Sequence, residues 1–155
     1  MKITGVKYHR LDLKLSTPYS IAYGDIQTSP NIFLKIETNK EVSGFGCAAA
    51  DIEVTGEDAK TILRDCKAVI EPALKGADPL RAVKILEELK KNLRHHPSSL
   101  AMVDMALYDI MAKVSGIPLY KLLGGYRDRM KTSITIGILP LKETVKKARQ
   151  FIGDG

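Results

Sequence analysis

The stretch SLAMVDMALYDIMAKVSGIPLYKLLGG, residues 99–125, decides the fold. Its first sixteen residues predict a helix over 99–114, opened by Pro97-Ser98-Ser99 and ended by Gly116 and Pro118. Leu100, Met102, Val103, Met105, Leu107, Ile110, Met111 and Val114 surround that helix with apolar side chains. A helix that is apolar nearly all round must be covered on several sides. Other elements of the chain therefore have to wrap it, and Leu122-Leu123-Gly124-Gly125 marks where that wrapping closes.

Upstream, two amphipathic segments supply helical cover. Thr55-Gly56-Glu57-Asp58 reads as a capping box, with Thr55 and Asp58 satisfying free backbone donors of a helix that carries Ile62, Cys66, Val69 and Ile70 and stops at Gly76. Asp78-Pro79 opens a second helix, and Leu80, Val83, Leu86, Leu89 and Leu93 mark its expected inner face. Further upstream the period becomes two. Ile3 to Leu15 reads as a strand; Ile32, Leu34 and Ile36 alternate as a second; and Val42 to Cys47 returns as a third after a turn at 38–41. Gly44-Phe45-Gly46 implies a close backbone approach there. Residues 16–30, which carry Tyr19 and Tyr23, and residues 48–54 read as two loops leaving this sheet. Long loops on a rigid sheet suit a ligand lid. Downstream, TSITIGI at 132–138 predicts a strand, with Ile134, Ile136 and Ile138 on one face and Ser133, Thr135 and Gly137 on the other; an amphipathic helix follows Pro140.

With 155 residues, 45% hydrophobic and 27% charged, the chain has the composition of an ordinary globular domain. No run reaches the ~18 apolar residues of a membrane span. The N-terminus reads straight into a strand, and Cys47 and Cys66 fit no metal or redox spacing; a reduced, cytoplasmic setting is expected. The net charge of +6 is spread along the chain, and Lys84, Lys90, Lys91 and Arg94 alternate with Glu87 and Glu88 as a solvated helix face, with no interleaved aromatics for base stacking. Neither nucleic acid nor a membrane is the expected partner.

The candidates for bond-making chemistry have structural readings. Asp104 and Asp109 project roughly 140° apart on one helix and do not converge; Asp109 is expected to meet Lys113, and Asp104 the backbone or Tyr108. His95-His96 reads as a helix-end pair facing terminal carbonyls, and Cys47 as a small apolar strand residue without a nearby base.

The run from Ala101 through Lys113, continuing from Gly116-Ile117-Pro118-Leu119 to Gly124-Gly125, resembles the enolase superfamily, and more narrowly its muconate lactonizing enzyme branch. Gly44-Phe45-Gly46 before a loop, Thr55-Gly56-Glu57 and Gly125-Tyr126-Arg127-Asp128 agree with it, and Thr132 to Ile136 resembles the first barrel strand of dipeptide epimerases. The resemblance implies an α+β fold: a capping domain at 1–125, made of a three-stranded antiparallel meander and a helical bundle, then at 126–155 a linker and the first strand and helix of a truncated TIM barrel. It implies an isomerase, a Mg²⁺-dependent epimerase or racemase acting on a carbon acid such as an L-Ala-D/L-Glu dipeptide. Cycloisomerase or o-succinylbenzoate synthase chemistry of the same branch, and a standalone binding domain, remain open. The family's catalytic lysines and Mg²⁺ carboxylates match no position here, so this chain is expected to hold neither catalytic nor metal-ligating residues and to be inactive alone. The residues carried over are substrate-binding ones: Tyr19 and Gly24 in the first loop, Asp51 and Val54 in the second, and Thr135 on the strand. Cys47 departs from the acidic residue of many relatives, and Gly24 from a basic one in some epimerases. A homo-oligomer is expected.

Overall fold

The computed structural model describes residues 1–22 and 24–155, so Tyr23 lies outside the described residues. The chain forms two compact units. One comprises Met1–Asp12 and Pro30–Gly125; the other comprises Leu13–Ser29 and Tyr126–Gly155.

A three-stranded sheet in the order β1-β2-β3 is built from β1 (Ile3–Ile21), β2 (Gly24–Thr38) and β3 (Ser43–Ala49). In the first unit β2 and β3 pair antiparallel from Asn31↔Ala49 to Glu37↔Ser43. Between them Thr38 Oγ1 donates to Val42 O at 2.8 Å and accepts from Lys40 N at 3.3 Å, which closes the turn. The alternation of Ile32, Leu34 and Ile36 sends all three into the core with Ile3 and Ala48.

Helix α5 (Pro97–Ser115) lies on that face and buries Met102, Val103, Ala106, Leu107 and Ile110. The two glycines of β3 set the distance. A Cβ on Gly44 would come 2.1 Å from Ala106 O, and one on Gly46 1.9 Å from Met102 O, so helix backbone rests on strand backbone. The same helix covers the free edge of β3. Asp109 Oδ2 accepts from Phe45 N at 2.9 Å, and Lys113 Nζ donates to Ser43 O at 2.8 Å and to Asp109 at 2.7 Å. An edge strand whose donors and acceptors are taken offers no template to another chain. Gly116, at φ 65°, ends the helix.

Around α5 in this unit stand α1 (Ile52–Thr55), α2 (Ala59–Asp65), a π-helical turn at Cys66–Ile70, α3 (Glu71–Leu74), α4 (Ala82–Lys90) and α6 (Leu119–Leu122). Pro72 in α3 has no N–H and would crowd the carbonyl four residues back. The backbone widens before it, and Glu71 N reaches five residues back to Cys66 O. The capping box at 55–58 is corrected: Asp58 caps α2 through Thr61 N at 2.7 Å, whereas Thr55 ends α1 and donates its hydroxyl to Asp51 O. The inner face of the next helix is also rotated from the expected one. Ala82, Ile85, Leu89 and Leu93 are buried, while Val83 is 68% exposed. A 3₁₀ turn at Pro79–Arg81 precedes α4 and shifts the phase of the apolar positions.

In the second unit, residues 16–21 and 24–29, expected as parts of a loop at 16–30, are strand, since β1 runs to Ile21 and β2 begins at Gly24. Thr17, Tyr19, Ile21, Ile26 and Thr28 favour extended backbone, and Pro18 is tolerated because β1 is an edge strand. Residues 132–138, expected as a strand, form no ladder. One backbone bond, Ile138 N to Ser20 O at 2.8 Å, ties the segment to the hairpin, and Ile134 and Ile138 remain exposed. Helix α7 (Leu141–Gly153) is amphipathic and buries no residue.

Candidate functional site

The five substrate-facing candidates fall into two groups. In the first unit Asp51 and Val54 stand together: Asp51 caps α1, its backbone carbonyl accepts from Thr55 N at 2.9 Å, and its Oδ1 accepts from Val54 N at 3.3 Å. The expected loop at 48–54 is therefore largely the end of β3 followed by a short helical turn, because an aspartate able to satisfy its free amides starts one. Val54 is 69% exposed, an apolar side chain held out to solvent on a capped turn. A cleft of about 230 Å³ adjoins this turn and is lined by Arg10, Pro30, Ala50, Ile52, Asp58 and Lys60 among others.

In the second unit Tyr19 is half-buried on β1. A Cβ on Gly137 would come 2.8 Å from Tyr19 Cβ, so the segment carrying Thr135 passes close to the tyrosine backbone two residues further on. Thr135 itself is exposed. Gly24 opens β2 at φ 154°, a conformation that side chains disfavour, with open space where its Cβ would be. Tyr19 and Asp25 line a cleft of about 200 Å³ with Pro18, Ser20 and Gln27, and Ser20 Oγ donates to Asp25 Oδ1.

The remaining reactive side chains are engaged in holding the fold. Asp109 meets Lys113 as its spacing implies; Asp104, half-buried, forms no bond to Tyr108. Cys47 Sγ lies 3.5 Å from Asn31 Oδ1, and burial pushes its thiol pKa up, away from the thiolate a nucleophile needs. His96 does not face the carbonyls of a finished helix. It precedes α5, and its Nδ1 sits 2.6 Å from Asp65 Oδ2, close but poorly aligned for a hydrogen bond. Asp65 instead accepts from Ser99 Oγ at 3.0 Å. Glu57, fully buried, accepts from Ser98 N and Ser99 N. Sequence reasoning missed Glu57 and Asp65 because their partners lie more than thirty residues away; a buried-carboxylate reading of the α5 N-terminus was the available signal.

An antiparallel sheet of three strands, backed by helices around one central helix, defines a domain of α+β class. The chain belongs to the mandelate racemase / muconate lactonizing enzyme family: residues 3–124 match the model of that family's N-terminal domain. Over all 155 residues it is 39% identical to an L-Lys-D/L-Arg epimerase of Desulforapulum autotrophicum, covering 44% of that protein. The fold matches a substrate-liganded L-Ala-D/L-Glu epimerase from Bacillus subtilis with a TM-score of 0.93 at 30% identity, over the whole chain and 43% of the other. A dipeptide epimerase from Methylococcus capsulatus, complexed with Mg and the dipeptide L-Arg-D-Lys, matches with a TM-score of 0.93 at 33% identity, over the whole chain and 44% of the other. The chain thus spans less than half the length of the curated relatives it matches.

Among the described residues no three Asp, Glu, His or Cys side chains converge, and the buried carboxylates Glu57 and Asp65 are committed to the N-terminus of α5. Mg²⁺ requires near-octahedral oxygen ligation, which these groups do not offer. Among the described residues no helix is long and apolar enough to cross a membrane.

Proposed function

We propose that this chain is the substrate-selecting cap of a dipeptide epimerase. The observation that carries the reading is the coverage: every part of the chain, including 126–155, aligns with epimerases at 30–39% identity, and relatives of the same fold are complexed with dipeptides. Epimerisation removes the hydrogen from a carbon beside a carboxylate and returns one to the opposite face, which needs positioned bases. Lys113 is bound to Asp109 and to Ser43 O. The reading therefore assigns this chain the choice of substrate, through Tyr19, Gly24, Asp51, Val54 and Thr135. The chemistry and the Mg²⁺ belong to the rest of the enzyme. We place the protein in the cytosol, on its two unpaired cysteines, and propose a homo-oligomer, to be tested by sedimentation equilibrium. The division at Gly125 into a cap and a barrel-type segment is part of the same proposal.

A second reading concerns which dipeptide. L-Ala-D/L-Glu epimerases stand among the relatives at 30% and 33% identity, a hydrophobic dipeptide epimerase at 34%, and L-Lys-D/L-Arg epimerases at 39% and 34%. The two candidate segments carry Asp25 and Asp51, and glycine at 24. The carboxylate of Asp51 favours a cationic dipeptide. The experiment compares kcat/KM for L-Lys-L-Arg and L-Ala-L-Glu in the enzyme containing this chain, with Asp51→Asn and Thr135→Ala variants. Asp51→Asn is expected to erase about 2–5-fold of a cationic preference, the order of one partly exposed ion pair. Thr135→Ala should lower turnover with Tm unchanged. Variants indistinguishable from wild type on every dipeptide would refute these assignments.

A further inference from the structure

Glu57 holds a place that substrate selection alone does not explain. Its carboxylate is fully buried, and among the described residues no cation pairs with it. Its charge is met by backbone: Oε2 accepts from Ser98 N at 2.7 Å and Oε1 from Ser99 N at 2.9 Å, both in the first turn of α5. Those amides have no partner within the helix, and the helix dipole favours a negative charge there.

The backbone of the same residue bridges Asp51 in antiparallel fashion, so Glu57 closes the loop that begins at Asp51. Inside the loop Thr55 Oγ1 donates to Asp51 O at 2.9 Å, and Gly56, at φ 74°, donates to Ile52 O at 3.1 Å. The entry side is fixed by Ala50 N donating to Pro30 O at 3.0 Å. On the exit side the Glu57 carboxylate carries the attachment, and it attaches the loop to α5, the helix that Gly44 and Gly46 let rest directly on β3. Asp65 adds a second tie to the same helix turn through Ser99 Oγ.

We infer that Glu57 is a positioning residue: by docking the 51–57 loop on the N-terminus of α5 it sets where Asp51 and Val54 stand, and so how the substrate's side chain fits. This rests on the proposed role of that loop in substrate selection. An ordinary helix cap would stabilise α5 without governing the loop, and the two cases separate by experiment.

The first arm measures amide hydrogen exchange in the 155-residue chain. Glu57→Gln keeps the shape and removes the charge. Loss of a charge-assisted pair predicts exchange at Thr55 and Gly56 faster by about 10-fold or more, with Leu107 and Ile110 in α5 unchanged. The milder Glu57→Asp keeps the charge and shortens the arm; it should give a smaller acceleration, and it serves if Glu57→Gln does not fold. The second arm measures dipeptide epimerisation by the enzyme containing this chain: in the variant KM should rise about 10-fold with kcat within about 3-fold, the pattern of lost substrate fit. Unchanged exchange at Thr55 and Gly56 overturns the inference. A loosened loop with unchanged KM overturns it as well, since Glu57 would then hold a loop the substrate ignores. A loosened loop in an enzyme whose wild type acts on no dipeptide supports the docking role of Glu57 and refutes the dipeptide reading instead.

Discussion

Replacing Gly46 by alanine places a methyl carbon 1.9 Å from Met102 O. A close C···O approach needs roughly 3.3 Å, so α5 must withdraw from β3 by more than 1 Å or the strand must bend. Neither atom belongs to a flexible side chain that could swing away. A gap of that size forfeits about a quarter to a half of the dispersion energy of the groups it separates. Those groups are Met102, Val103, Ala106 and Ile110, the centre of the core. Overpacking costs about 1–3 kcal/mol where side chains can adjust; with backbone on both sides, Gly46→Ala should cost about 3–4 kcal/mol out of the 5–15 typical of a domain. In urea, followed by circular dichroism at 222 nm, the midpoint should fall by roughly 1.5–2 M with little change in slope. Gly44→Ala, whose methyl would meet Ala106 O at 2.1 Å, should behave alike. One withdrawal of the helix relieves both clashes, so the double variant should lose less than the sum by about 1 kcal/mol or more. A loss under about 1 kcal/mol for Gly46→Ala would refute direct strand-on-helix backbone packing as the determinant of this core.

Asp109→Ala frees Phe45 N and Lys113 together and should cost about 1–2 kcal/mol, with a concentration-dependent increase in light scattering as the β3 edge opens. The Asp58 carboxyl is held below its ordinary pKa, first by the Thr61 N–H it accepts. A depressed folded pKa gives stability that is present above the unfolded value of about 3.9 and is lost as pH falls through the folded one. Asp58→Asn retains a capping side chain that does not titrate, so thermal melts from pH 6 to pH 2 should show a shallower acid decline in the variant. Burial pushes the Cys66 thiol up to about 12. A disulfide exchange reagent at pH 8 should leave Cys66 unreacted in the native chain and titrate both thiols in denaturant; rapid reaction of Cys66 in native conditions would contradict its enclosure.

Much of this was legible in the sequence because the signals were local and repeated. The apolar girth of 99–114 announced a central helix, although it is buried mainly on one side and Met105 and Val114 stay exposed; the alternation of Ile32, Leu34 and Ile36 required a sheet face, and Gly44 and Gly46 at strand spacing announced the close approach that the core uses. Asp109 and Lys113, one turn apart, announced their ion pair. What failed depended on distant partners or on a shift of phase. Pro18, Ser16 and Ser20 read as loop because nothing local reveals that β1 is an edge strand able to host proline. The isoleucines of 132–138 read as strand, yet a strand exists only where a ladder partner stands beside it. The 3₁₀ turn at Pro79 rotated the face of α4 by altering the residues per turn. Among the site candidates, Asp51 and Val54 come together because four residues of capped helix carry them, which spacing can suggest. The docking of Glu57 on Ser98 and Ser99 joins residues 41 and 42 positions apart, and no local pattern records it.

The central claim, that this chain selects the substrate of a dipeptide epimerase, is tested most directly by deuterium wash-in. The enzyme containing residues 1–155 is incubated in D₂O with Mg²⁺ and a panel of cationic, acidic and hydrophobic L,L-dipeptides, and the α-hydrogens are followed by proton NMR. The account predicts loss of one α-hydrogen signal with inversion at that carbon, fastest for the cationic dipeptides and slowed by Asp51→Asn. Wash-in into no dipeptide, with turnover instead of an N-succinyl amino acid or a cycloisomerase substrate, would contradict it.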